Sequence, residues 1–181
     1  MQKKTRTLWL LGVGLVVATA AIAGGNPKFL RAPSATIESP TGKAFASKID
    51  SASPVFEGPV LVIGWTETGL GNTGTVNYTA TADAAATYQC VNLGTNCPSA
   101  ANKQDVAAKV STSATFAIDN GRINGELRLG SPPSSLSCPG NQVVGVASVV
   151  FTNIRLEDTT NHISAATKPS SISYQNTAIC P

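Results

Sequence analysis

The chain has 181 residues, of which 42% are hydrophobic and only 13% charged, with 13 Lys and Arg against 10 Asp and Glu. Lys3, Lys4 and Arg6 supply three of those thirteen bases, so the remainder of the chain is formally neutral, ten against ten. Nucleic-acid binding and polybasic attachment to a membrane both depend on surplus positive charge, and neither is expected here.

The chain starts with a cationic stretch, an apolar run from Leu8 to Val17, and then Ala21-Ile22-Ala23, an A-x-A cleavage site. These are the three parts of a secretory signal peptide over residues 1–23. The apolar run falls short of the ~20 residues that span a bilayer. The processed protein is therefore expected to have no membrane span and to be secreted or held at the cell surface. An uncleaved N-terminal anchor is the alternative.

Residues 24–59 hold Pro27, Pro33, Pro40, Pro54 and Pro59, each lacking a backbone donor, and predict an extended arm with an edge strand near Lys43–Ile49. Residues 60–181 are expected to form one domain. Leu61–Trp65 reads as a buried strand ended by Gly69-Leu70-Gly71-Asn72. Glu67 shares the phase of Leu61, Ile63 and Trp65, but so close to the strand end it is expected to have left the sheet. From Val76 to Cys90 every even position is apolar, the alternation of a strand with one wet face. That run is long for one strand, so a bend or break is expected around Asp83–Ala86.

Val106–Ile118 and Ile123–Leu129 alternate in the same way around Asn120-Gly121, the dipeptide of a type I′ turn. A hairpin in that register puts Ile118 opposite Ile123, Phe116 over Gly125 and Ala114 against Leu127. A Pro/Ser/Gly loop over 131–140 leads to a strand at Val143–Leu156, a turn at Asp158–Asn161, and short strands at Ile163–Ala166 and Ile172–Ile179. No helical stripe of apolar residues persists for three turns. The expected fold is all-β, an antiparallel β-sandwich of immunoglobulin-like architecture.

All four cysteines, Cys90, Cys97, Cys138 and Cys180, follow the leader, and an even count in an exported chain predicts disulfides. Three connectivities are open. The short bracketed run favours Cys90–Cys97 together with Cys138–Cys180. The gaps suit no standard zinc site, and neither metal nor cofactor is expected. A loop closed by Cys90 and Cys97 would present Val91, Asn92, Leu93, Gly94, Thr95 and Asn96 with little entropy left to lose, which makes it the candidate binding loop.

Catalytic candidates are few. His162 is the one histidine and sits in a polar turn. Glycoside hydrolysis needs two carboxylates about 5–10 Å apart; Glu57, Glu67, Asp83, Asp119, Glu126, Glu157 and Asp158 are available, and Glu67 and Glu157 are the two to substitute as a test. Glu157–Asn161 clusters oxygen ligands suited to calcium, but these are also ordinary turn formers. Trp65, Tyr78 and Tyr88 fall on the apolar phase and are assigned to the core. Tyr174 and Phe45 remain as surface aromatics for stacking on sugars.

Tyr88-Gln89-Cys90 resembles the Tyr-x-Cys of immunoglobulin domains, but no cysteine precedes Trp65, so the chain is not a true member. Two longer segments, Tyr88-Gln89-Cys90-Val91-Asn92-Leu93-Gly94-Thr95-Asn96-Cys97-Pro98 and Phe151-Thr152-Asn153-Ile154-Arg155-Leu156-Glu157-Asp158-Thr159-Thr160-Asn161, resemble uncharacterised exported bacterial β-sandwich proteins. That resemblance implies export and a sandwich fold, with no activity attached. The function expected is a secreted, non-catalytic binding or surface-structural domain whose partner is an extracellular protein or glycan. The alternatives are a small carboxylate-dependent glycan hydrolase and a glycan-binding module.

Overall fold

Nine strands account for the structure, a computed structural model that describes residues 25–39, 58–92, 102–140 and 142–176. They are β1 (Lys28–Phe29), β2 (Ser34–Glu38), β3 (Val60–Thr68), β4 (Thr75–Asn92), β5 (Lys103–Ala117), β6 (Arg122–Leu129), β7 (Gln142–Asp158), β8 (Ile163–Ala166) and β9 (Ile172–Gln175). All pairings between them are antiparallel, and they form two packed sheets, an all-β sandwich.

The first sheet is built on β3, with β6 along one edge and β1 and β2 end to end along the other. Residues 28–38 thus belong to a sheet edge, and Pro33 sits in the gap between the two pieces. The strand expected near Lys43–Ile49 lies outside the described residues. The second sheet is built on β4 and β7, with β5 outside β4, and β8 and β9 sharing the outer edge of β7. The two broken edges meet. Lys168, between β8 and β9, donates its N–H to the Pro33 carbonyl at 2.8 Å and accepts the N–H of Ala35 at 3.4 Å. One flank of the sandwich is thereby closed, while β5 and β6 stand on the opposite flank.

Period-two patterning decides what faces inward. Val76, Tyr78, Ala80, Ala82, Ala84, Ala86, Tyr88 and Cys90 are all buried. The first sheet answers these small side chains with large ones, Leu61, Ile63, Trp65, Leu127 and Leu129, and β7 adds Val146, Val149, Phe151, Ile154 and Leu156. At roughly 25 cal/mol per Å² of apolar surface removed from water, this shared layer is the main force holding the sheets together.

Two local expectations need correction. β4 does not break at Asp83–Ala86 but runs unbroken in one register with β5 from Thr75 to Gln89. Its partner takes up the irregularity instead. β7 shifts register between Thr81/Asp83 and again between Thr87/Tyr88, and Asn153 at the first bulge has φ of 52°. An extra residue on one strand increases twist locally, which lets the long ribbon coil around the core. The amide of Asn153 donates to Asp83 Oδ2 at 2.8 Å and pins this bulge.

The Asn120-Gly121 turn forms, with positive φ at both residues (50° and 75°) and a reciprocal bridge between Asp119 and Arg122. Beyond that single bridge the two legs separate into different sheets. Phe116 pairs with Val76, whereas Gly125 pairs with Trp65 and Leu127 with Ile63. Both legs turn apolar side chains toward the same core, so one alternation satisfies a flat hairpin and a pair of legs facing each other across the sandwich. The longer ladders offered by β4 and β3 decide between them.

Candidate functional site

Glu67 is the one acidic residue of β3, and it stays in the sheet. It pairs with Phe29 on one side and Ile123 on the other, keeps the phase of Leu61, Ile63 and Trp65, and has 0% of its surface exposed. The expectation that it leaves the strand end is overturned, because β1 and β6 extend the ladder past it on both sides. β4 brings Tyr78 to it, and the phenol donates to Glu67 Oε2 at 2.7 Å. Trp65, Tyr78 and Phe116 pack ring against ring, with centroids 4.6, 5.1 and 5.7 Å apart, and Tyr78 joins this aromatic group to the carboxyl.

Asp158 is the second member. It continues the inward phase of Ile154 and Leu156 to the end of β7, pairs with Tyr78 in the ladder, and is fully buried. Its Oδ1 accepts the N–H groups of Thr160 and Asn161 at 2.8 and 2.9 Å, and its Oδ2 accepts the Asn161 amide at 2.6 Å. These bonds make Asp158 the residue that shapes the turn before β8. Such side-chain-to-backbone bonds are the ordinary work of Asp in turns. No group of three metal-ligating side chains assembles among the described residues.

Burial raises the Glu67 carboxyl from 4.5 to about 7, the Tyr78 hydroxyl pulls the other way, and the Asp158 charge adds to the rise. Tyr78 is itself pushed far up, first by burial and then by Glu67. Desolvation disfavours the charged form of both groups. Among the described residues Glu67 Oε1 and Trp65 Nε1 make no hydrogen bond of good geometry, although the Asp158 carboxyl lies close enough to Glu67, and the Trp65 indole close enough to Tyr78, to shift their pKa values. The cluster is therefore two buried carboxyls and a phenol, with burial and the Asp158 charge both favouring the neutral form of Glu67, and it is closed to any substrate in this conformation.

The remaining acidic residues are arranged differently. Glu157 is exposed on the outer face of β7, so it and Glu67 lie on opposite sides of the second sheet and cannot flank one bond. Glu38 and Glu126 both bind Arg128 on the exposed face of the first sheet. The Arg128 hydrogen bond holds Glu38 below the usual carboxylate range. His162 is exposed in the turn before β8, with φ of 57°. Trp65, Tyr78 and Tyr88 are buried as expected, and Tyr174 is half-buried against the core. Phe45 lies outside the described residues.

The cysteine pairing is corrected. Cys90 is bonded to Cys138, 48 residues on, with Cα atoms 5.5 Å apart. The favoured Cys90–Cys97 link is excluded, and Cys97 and Cys180 lie outside the described residues. Proximity in sequence misleads because β4 ends beside the 131–140 loop, which crosses from β6 to the other sheet. The Tyr88 hydroxyl donates to the Pro132 carbonyl. From β5, the Gln104 side chain accepts Ser134 Oγ at 2.7 Å and the Ser135 N–H at 3.1 Å, and donates to Ser135 Oγ at 2.8 Å. Burial raises Tyr88 to about 12, so it stays protonated as a donor. Of the candidate binding loop, Val91 is buried and Asn92 ends β4, while residues 93–96 lie outside the described part. With Cys90 committed to Cys138, no Cys90–Cys97 bond closes that loop.

The sequence reading missed the Glu67–Tyr78–Asp158 cluster, although its signal was present: all three stand in the inward phase of their strands. No family model, no curated protein and no solved structure matches this chain.

Proposed function

We propose that this protein is an exported, disulfide-stapled β-sandwich that works without catalysis, as a binding or surface-structural domain. The observation that carries the reading is where the acidic side chains lie. Among the described residues the carboxyl with a raised pKa, Glu67, is sealed between the sheets, and Glu157, another of the candidate carboxylates, is on the far side of a sheet. Glycoside cleavage needs an acid and a second carboxylate on either side of one accessible bond. What the described residues offer to their surroundings is mainly the outer faces of two sheets. On the second sheet this face is rich in hydroxyls already bonded across strands, such as Thr79 to Ser113 at 2.8 Å and Thr115 to Asn77 at 2.6 Å.

Export is supported by the leader-like residues 1–23 and by the Cys90–Cys138 bond, since disulfides belong to oxidising compartments. No helix among the described residues is long and apolar enough to cross a membrane. The test is a screen of the processed protein and its Glu67→Gln and Glu157→Gln variants on a panel of polysaccharides. No product from any of the three is expected. Hydrolysis by the parent protein that either variant abolishes would overturn the reading.

A further inference from the structure

We infer that two copies of this chain associate by pairing their β5 strands antiparallel about a two-fold axis at Ala107, joining the five-stranded sheets into one. β5 has 15 residues, and among the described residues its outer edge has no strand partner. The phase of its hydrogen bonds is set at both ends. The Cys90 N–H reaches the Asn102 carbonyl at 3.1 Å, the Ile118 N–H reaches the Gly74 carbonyl at 2.9 Å, and the register between is continuous. Residues 104, 106, 108 and onward therefore bond to β4, while Lys103, Asp105, Ala107, Lys109 and Ser111 aim their N–H and C=O groups at the free edge. A free edge of this length is a template for a further strand.

Charge selects the occupant and the register. Asp105 and Lys109 stand two residues either side of Ala107, on the same exposed face. A two-fold axis at Ala107 puts Asp105 of each copy directly opposite Lys109 of the other, twice, and sets Lys103 against Ser111. All these positions are edge-facing, as the ladder requires. Centring the pairing at Val110 would give more overlap but would set Asp105 against Thr115 and Lys109 against Ser111, with no opposite charges across the seam. Lysines on an edge strand normally discourage pairing; Lys109 already lies 3.6 Å from Asp83 of β4 with both side chains largely exposed, and a second copy adds Asp105 as a further opposite charge on its other side. On the inner side, Val106 and Val110 are only half-buried and Ala108 is exposed, and the added strand would cover them. The other flank of the sandwich offers no such opening, since its two broken edges are bonded to each other through Lys168.

This inference goes beyond the non-catalytic reading and fails separately from it: a monomer would leave that reading intact. The experiment is sedimentation velocity over a concentration series on the protein recovered from its producing cells. Concentration-dependent dimer is expected for the parent chain. Lys109→Asp and Asp105→Lys should each weaken association by about tenfold or more, because each sets like charges opposite one another twice. The double exchange Asp105→Lys/Lys109→Asp, made in an Asp83→Asn background so that no like charge stands beside residue 109 within the chain, should restore it to within about threefold of that background. Ala107→Pro, which removes an edge-facing N–H and no bond to β4, should give a folded monomer. A parent chain that stays monomeric throughout, or a dimer whose strength ignores the charge exchanges, would overturn the proposal.

Discussion

Tyr78 donates its phenolic hydrogen to Glu67 Oε2 at 2.7 Å, with neither side chain exposed to solvent. This bond ties β4 of one sheet to β3 of the other at the end of the core where the aromatic rings gather. Removing it should be felt as a lost partner for a buried acid. Tyr78→Phe is expected to destabilise the protein by about 1–3 kcal/mol, measured as a lower urea midpoint with unchanged m-value. The hydroxyl also holds the Glu67 pKa down, so in the same variant Glu67 should titrate at higher pH.

Glu67 sets the sign of one pH dependence. Its folded-state pKa of about 7 lies above the ordinary 4.5. Between those values the native state keeps a proton that the unfolded chain has released, so this group's contribution to stability falls as pH rises from about 4.5 to about 7. The full loss is of order 3 kcal/mol. Glu67→Gln carries a permanently neutral amide of similar shape. Relative to the parent it should gain stability steadily across that window and stay level above it, read by chemical unfolding at a series of pH values. A parent and variant whose curves run parallel would show that Glu67 is not perturbed.

These side chains also show how far the sequence could be read. Alternation identified β3, β4 and β7 and the inward phase of Tyr78, and the same rule, applied without exception, puts Glu67 and Asp158 inside. Setting the rule aside for Glu67 was the error, since nothing local reveals that β1 and β6 extend the ladder beyond it. The Asn120-Gly121 turn was legible because positive φ at two successive residues demands that dipeptide. Which sheet each leg joins was not legible, since Phe116 and Leu127 face the core either way. The Cys90–Cys138 bond depends on the loop from Ser131 to Gly140 crossing between sheets, a long-range arrangement that cysteine spacing does not encode.

Trp65 lies across Gly125 so closely that a Cβ there would come within 2.3 Å of the indole Cζ2. Gly125→Ala should therefore force the ring from its place against Tyr78 and Phe116, at a cost of about 1–3 kcal/mol. Trp65 is the only tryptophan beyond residue 23, so in the protein beginning at Gly24 its fluorescence reports the displacement without interference. Gly64→Ala is the control. Its Cβ would meet only Ser34 Oγ, at 3.2 Å on an exposed face, and should leave the emission unchanged.

The staple between β4 and the inter-sheet loop closes a span of 48 residues. In the chain-entropy account such a link contributes about 4 kcal/mol. The double variant Cys90→Ala/Cys138→Ala should lose stability on that scale while keeping a strand-rich circular dichroism spectrum. Cys97→Ala should leave the Cys90–Cys138 bond in place, which non-reducing peptide maps of that variant will show.

The most direct measurement on the whole account is non-reducing mass spectrometry of the native protein recovered from outside the cell. A chain beginning at Gly24, with the Cys90 and Cys138 peptides joined until reductant is added, is the predicted result. A chain still starting at Met1 and confined to the cytoplasm, with Cys90 and Cys138 both free, would contradict it.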